Sequence, residues 1–209
     1  MARSTAAHGY HHGDLRRALL DATLVLVEKH GPQGFTLRAA ARAAGVTAGA
    51  PYHHFEDKDA LLTALAAEGF ELFRAALEKA ACKAAGSASE RMRNVGVAYV
   101  LFAIEQPTRF RIMLGYGVQR HMRQRAFAST ALDTYQFVRG VLVEGLAGGE
   151  ADPVEEAEVL GWWSVVHGLA FLAIDGHLGK VGRSAERADA VVRAVIQALD
   201  RRERARRGC

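Results

Sequence analysis

The stretch 36-TLRAAARAAGVTAGAPYHHFEDKDALL-62 decides the fold. Thr36 is placed to cap a short helix over residues 37–44, and Gly45 is the residue type that closes a helix at its C-terminal end. Thr47 is placed to cap a third helix, 48 to about 54, with Pro51 near its first turn, where a missing N–H costs least. Asp57 then caps a fourth, much longer helix that continues to about residue 85, before 86-GSAS-89. Two short helices joined by a tight Gly-containing turn, ahead of a longer supporting helix, are the arithmetic of a helix-turn-helix. In that arrangement Tyr52 and His53 lie at the C-terminal end of the groove-entering helix, where their O–H and ring N–H donate to phosphates while Phe55 turns inward. His54 and Phe55 are expected in the core. Lys58 adds an ammonium in the first turn of the next helix, whose N-terminal N–H groups and dipole favour the same anions.

Outward from that segment, the punctuation is helical throughout. A first helix is expected from Gly13 or Asp14 to His30, ending at 31-GPQG-34, with Leu15, Leu19, Ala22 and Leu26 as its core stripe. Ala, Leu, Glu and Arg dominate, and no alternating β-branched run nominates a sheet, so the chain is expected to be all-α. Its 209 residues and 50% apolar content suffice for one full domain and a smaller one. The net charge of +4 permits nucleic-acid binding without demanding it, because acids are interspersed with the bases. No leader-like run and no uninterrupted apolar stretch of about 20 residues occurs, so no membrane partner and a cytoplasmic location are expected. Cys82 and Cys209 have no second Cys or His at metal-ligand spacing, so they are expected as reduced thiols, with no metal and no cofactor.

Residues 13–66 resemble the DNA-binding domain of the TetR family of transcriptional regulators. The resemblance is carried by 13-GDLRRALLDATLVLVEKHG-31 and by 34-GFTLRAAARAAGVTAGAPYHHFEDKDALL-62, with its Gly-Val turn, its Tyr-x-His-Phe and its Lys before Ala-Leu-Leu. It implies that Thr36, Tyr52, His53 and Lys58 contact phosphates. Arg38, Thr47 and Ala48 would face base edges, and Arg42 either base or phosphate. An arginine at 38 suits a bidentate guanine contact and the methyl of Ala48 a thymine methyl. Against this, Arg38 and Arg42 at i and i+4 also fit a solvated helix face. Ala50-Pro51 departs from the Thr-Leu or Ala-Leu that often precedes the Tyr, which alters the packing of the recognition helix and removes no phosphate donor.

The chain from about residue 70 to 199 carries a different signal, large aromatics and Met spread over several helices. Most such residues are core; as a group they suit a helical bundle with an apolar cavity for a small-molecule effector. Tyr99, Phe102, Phe110, Met113, Tyr116, Trp163, His167 and Phe171 are the candidate ligand residues, and His167, Ser164, Tyr99, Tyr116 and Arg111 its candidate polar minority. The string 162-WWSVVHGLAFLAIDG-176 also resembles a TetR-like C-terminal domain recognised by Trp-x-x-x-His-Gly, matched by Trp163, His167 and Gly168. That resemblance implies ligand sensing and dimerisation. A histidine satisfied within the core is the equal alternative for His167.

Ala157, Gly161, Ser164 and Gly168 form a row of small residues along one helix. Trp162, Val166, Leu169 and Ala173 form a second row on another face. The last helix contributes Ala188, Val191, Val192, Val195 and Leu199. Two such helices from each of two chains make a four-helix interface, with Gly161, Ser164, Gly168, Val191, Val195 and Leu199 at the homodimer contact. The run 109-RFRIMLGYGVQRHMRQR-125 holds Arg without acids and reads either as an anion site or as the wet side of a helix.

The expected organisation is an arm over 1–12, a helix-turn-helix domain over 13–60, a helical ligand-binding and dimerisation domain over 61–200, and a frayed basic tail over 201–209. The expected function is a homodimeric repressor on a quasi-palindromic double-stranded DNA operator, released by a small-molecule effector. An activator, a ligand-independent regulator of the same fold, and a small helical enzyme are the alternatives.

Overall fold

Helix ends sit where side chains can take up the backbone groups that a helix leaves unpaired. A computed structural model describes residues 12–84, 86–115, 123–147, 154, 156–179 and 185–207. Among these residues the chain forms eight α-helices and no strand. They are α1 (His12–His30), α2 (Leu37–Ala43), α3 (Lys58–Cys82), α4 (Ala88–Glu105), α5 (Pro107–Leu114), α6 (Arg125–Ala147), α7 (Glu156–Ile174) and α8 (Ala185–Arg207), with a 3₁₀ helix at Ala50–His53.

Thr36 Oγ1 accepts from the Ala39 amide at 3.1 Å, and a carboxylate oxygen of Asp57 accepts from the Ala60 amide at 2.7 Å. After α2, Gly45 takes φ +72°, so that Val46 N–H donates to Ala41 O at 3.0 Å and Gly45 N–H to Arg42 O at 3.2 Å. This paired closure needs the left-handed residue that glycine adopts without a Cβ penalty.

Four expectations change. The buried face of α1 is Leu19, Leu20, Thr23 and Val27, turned from the expected Leu15–Leu19–Ala22–Leu26 stripe. Thr23 can be buried because its Oγ1 donates to Leu19 O at 2.7 Å, leaving no polar group unmet. The expected α-helix over 48–54 is replaced by the four-residue 3₁₀ turn with Gly49, not Thr47, at its N-cap. Pro51 explains this. Capped by Thr47, the helix would place Pro51 at the residue whose N–H makes the first i→i−4 bond, and its ring would meet the Thr47 carbonyl. The chain makes i→i−3 bonds instead, from Ala50 to Thr47 O and from Tyr52 to Gly49 O. Next, α3 ends at Cys82, where Lys83 and Ala84 bond three residues back and tighten the last turn. Finally, α8 continues through Arg207, well into the segment expected to fray. Residues 1–11, Tyr116 and Cys209 lie outside the described residues.

α4 is the middle of the C-terminal bundle and packs against α3, α6, α7 and α8. Glycine permits two of these approaches. A Cβ on Gly145 of α6 would sit 2.6 Å from Met92 Cβ, and one on Gly96 of α4 would sit 2.8 Å from Ile196 Cδ1. Phe73 of α3 anchors the centre, with its ring 4.9 Å from Tyr99 and 5.0 Å from Phe102. One continuous apolar core runs from Leu19 through Phe73 to Ile196. α3 is unbroken across residues 60 and 61, so the division expected there falls inside its first turn. α1 also packs on α5, giving the N-terminal helices a second contact with the bundle.

Candidate nucleic-acid interface and helical cavity

Leu37, Ala40, Ala41, Pro51 and Phe55 point inward, which sets the opposite side of α2 and the 3₁₀ turn in solvent. On that outer side Thr36, Arg38, Arg42, Thr47, Ala48, Tyr52 and His53 are all exposed, and Tyr52 is 55% accessible despite its ring. A large aromatic in water with its hydroxyl unbonded to protein is a poor structural choice and a good contact group. Phe55 is core as expected, with His54 half-buried and its ring 6.4 Å from that of Phe55.

Lys58 is placed differently from the rest. It is half-buried, its Nζ donates to Gln33 O at 3.2 Å and lies 5.1 Å from the centre of the Phe35 ring. Its ammonium ties the loop before α2 to the start of α3 and keeps further N–H donors for a phosphate. The α3 N-terminus is also less open than the sequence implies. Asp57 occupies an amide there and Asp59 adds a carboxylate in the first turn, which together offset the dipole that attracts anions.

In the bundle, a cavity of about 380 Å³ lies between α3, α4, α6 and α7, within the size range of small-molecule sites. Tyr99 and Trp163, two of the candidate ligand residues, are in its wall. Phe102, Phe110 and Met113 are not. They are buried in the core, where ring packing against Phe73 rather than a void accounts for both Phe102 and Phe110. His167 and Phe171 sit beside the cavity, meeting edge to face with centroids 4.9 Å apart, and Ser164 is on the outer face of α7. Arg111 is bonded to Asp175 and to Ile174 O, away from the cavity.

The wall also takes Phe127, Ala131, Thr134 and Val138 of α6, the last three of which composition alone missed. Their i, i+4, i+7, i+11 spacing marks one helix face, and a face rich in small and aromatic residues was the available signal.

Tyr99, His167 and Trp163 form one network. Tyr99 Oη is 2.8 Å from His167 Nδ1 and receives Trp163 Nε1–H at 3.3 Å. Burial holds the His167 pKa down, so its ring is neutral near pH 7, and Trp163 is a donor only. Two tautomers fit this geometry: the Tyr99 hydroxyl donates to Nδ1 with the imidazole proton on Nε2, or Nδ1–H donates to Tyr99 and leaves the tyrosine hydrogen to point elsewhere. Burial pushes the Tyr99 phenol well above its usual range, partly offset by the Trp163 bond, so this hydroxyl stays protonated.

At the cavity edge Tyr135 donates to Glu156 at 3.0 Å, and Arg139 donates twice to the same carboxylate. The Arg139 bonds, then the Tyr135 bond, hold the Glu156 carboxyl below its ordinary value.

Arg109, from the acid-free Arg run, is neither a wet face nor an anion site. It is 6% exposed and donates to Glu68 Oε1 at 2.6 Å, while Arg17 of α1 reaches Glu68 Oε2 at 3.1 Å.

Comparison with known proteins agrees with this architecture at both ends. The family described as bacterial regulatory proteins, tetR family, matches residues 19–65, and the one described as tetracyclin repressor-like, C-terminal domain, matches 92–199. A solved protein of unknown function from Rhodococcus sp. RHA1 is 33% identical, with a TM-score of 0.70, over 90% of this chain and 98% of that one. The TetR family transcriptional regulator PfmR from Thermus thermophilus shares the fold, with a TM-score of 0.64 at 21% identity over 86% and 94% of the two chains. The HTH-type transcriptional regulator BetI of Klebsiella pneumoniae is 37% identical over 81 residues, 38% of this chain and 42% of BetI. The chain thus spans less than half the length of the curated relatives it matches.

Proposed function

Because the chain belongs to the tetR family of bacterial regulatory proteins, we propose that it acts as a homodimeric repressor on a quasi-palindromic operator and is released by a small molecule held in the helical bundle. The observation that carries the DNA-binding part is the single exposed side formed by Thr36, Arg38, Arg42, Thr47, Ala48, Tyr52 and His53 around a glycine-closed turn. Tyr52 and His53 clamp one phosphate strand, Arg38 reads a guanine edge, and Ala48 meets a thymine methyl. Lys58 supports that clamp from behind and contributes charge.

The alternative of a ligand-independent regulator requires a filled bundle, and the cavity beside Tyr99 and Trp163 favours sensing over it. Homodimerisation is supported by the outer side of α7, where Gly161 and Ser164 are exposed between Leu160 and Leu172. Two recognition elements about one turn of DNA, or a multiple, apart then face two half-sites. Effector binding selects a dimer of different spacing, and operator weakens effector by the factor with which effector weakens operator.

Gel shift and footprinting on the DNA flanking the gene test this. Wild type is expected to protect a palindrome. Tyr52→Phe, which removes one neutral donor to a phosphate in each half-site, should weaken binding of the dimer about 10²-fold or more at every sequence, since each such bond contributes about 1.5–3 kcal/mol, and leave the salt slope unchanged. Arg42→Ala separates its two roles: a phosphate contact lowers the salt slope by about 1, whereas a base contact relaxes one operator position. A Tyr52→Phe protein that binds as well as wild type would remove the phosphate clamp from the proposal.

A further inference from the structure

The cavity wall contains Phe70, Phe73, Tyr99, Phe127, Tyr135 and Trp163, and all but one of the hydrogens that could serve a ligand are committed. Trp163 Nε1–H donates to Tyr99, Thr134 Oγ1 to Thr130 O at 2.8 Å and Tyr135 to Glu156, while a single hydrogen bond joins Tyr99 Oη and His167 Nδ1. Among the described lining side chains, what remains are hydroxyl lone pairs on Tyr99, Thr134 and Tyr135 and at most one hydrogen, that of Tyr99.

The nearby charges are committed too. Glu156 holds Tyr135 and Arg139, and Arg109 holds Glu68. An anionic ligand would therefore be stripped of water with at most one neutral hydroxyl to replace it, and a cation without a free carboxylate.

Aromatic walls can hold a cation through their faces, but here the rings serve each other. Phe70 and Phe127 meet edge to face at 5.4 Å, Phe73 and Tyr99 at 4.9 Å, and Tyr135 and Trp163 at 5.8 Å. Each pair spends one face of one ring on its partner's edge, which leaves fewer faces for a cation cage.

We propose that this cavity binds an uncharged, predominantly apolar small molecule, aromatic or alicyclic, carrying at most one hydrogen-bonding group, which meets Tyr99, Thr134 or Tyr135. Leu132, 51% exposed, and Tyr135 stand at its mouth. This assignment rests on reading the bundle as the sensor.

The test titrates the full chain with three probes that share a phenyl ring and differ in the charge of a tetrahedral head: tert-butylbenzene, phenyltrimethylammonium and benzenesulfonate. Binding is followed by tryptophan fluorescence, since Trp163 lines the cavity. The neutral probe is expected to bind at least tenfold tighter than either ion. Ala131→Phe fills the cavity and should weaken the neutral probe at least tenfold with an unchanged helical circular dichroism spectrum. Ala131→Met, a smaller and more adaptable filler, serves where the Phe variant does not fold. Equal or tighter binding of either ion, no binding of the neutral probe, or neutral binding indifferent to a folded filler would overturn the assignment. Neutral binding that leaves operator affinity unchanged upholds the site and removes only the sensor role.

Discussion

Glu68 is where a single side chain has most to lose. Its carboxylate answers a buried guanidinium on α5 and an exposed one on α1, so it joins the N-terminal helices to the bundle through α3. The two halves are unequal. Arg17 is solvated and its pair is screened, worth well under about 1 kcal/mol, whereas Arg109 has no water to fall back on. Glu68→Ala is therefore expected to cost about 3 kcal/mol, the penalty of leaving a charge buried and unmatched, and Arg17→Ala far less. Arg109→Met should fall between them, because Glu68 keeps Arg17 and partial access to solvent. Urea denaturation of the three variants checks the order, and an Arg17→Ala cost equal to that of Glu68→Ala would show that the pair on α5 is not the dominant one. None of this was legible in the sequence. Arg109 lay in a basic run with no acid, and its partner is 41 positions earlier on another helix. Helical periodicity reports a residue's own helix and is silent about a charge that arrives from elsewhere.

At the scale of elements, legibility followed how local the signal is. Thr36, Gly45 and Asp57 act within a few residues, and each capped or closed the helix expected of it. α1 was placed correctly and its buried face was not, because a threonine counted as polar hides its hydroxyl on the carbonyl four residues back. The recognition element failed for a related reason: Pro51 was weighed by its nearness to a helix start and not by which hydrogen bond its missing N–H would have made. Pro51→Leu restores the family's more usual residue before the Tyr and supplies that N–H to the Thr47 carbonyl. Backbone chemical shifts over residues 48–54 are expected to move from 3₁₀-like to α-helical values, with tighter operator binding if the rearrangement advances Thr47 and Ala48 into the groove. Unchanged shifts would assign the 3₁₀ turn to Gly45 and Gly49 instead. The cavity was half legible for the same cause. Tyr99 and Trp163 stood out as large residues with polar tips, but a void is made by what is small, and Ala131 announces nothing by itself.

For the whole molecule, the unfinished surface is the outer side of α7. This helix is the one described helix long and apolar enough to cross a membrane, yet its Val159, Trp162, Val166 and Leu169 are buried in the bundle. The opposite side leaves Leu160 54% and Leu172 45% exposed, with Gly161, Ser164 and Gly168 between them. Exposed leucines flanking small residues are what a helix presents when another backbone is to come close, and a twofold axis lets the same side serve both partners. Val191, Val195 and Leu199 of α8 are half-buried in the single chain, consistent with burial completed by a second copy. Gly161→Arg tests this with little risk to the fold, because a Cβ there meets nothing within 4 Å in the isolated chain. Wild type is expected to sediment as a dimer and the variant as a monomer that keeps its helical spectrum and loses operator affinity by a factor of about 10²–10⁴, the gain that linking two half-site contacts confers. A variant that still sediments as a dimer would move the interface off α7, and a monomer that binds the operator as tightly as wild type would end the requirement for two half-sites.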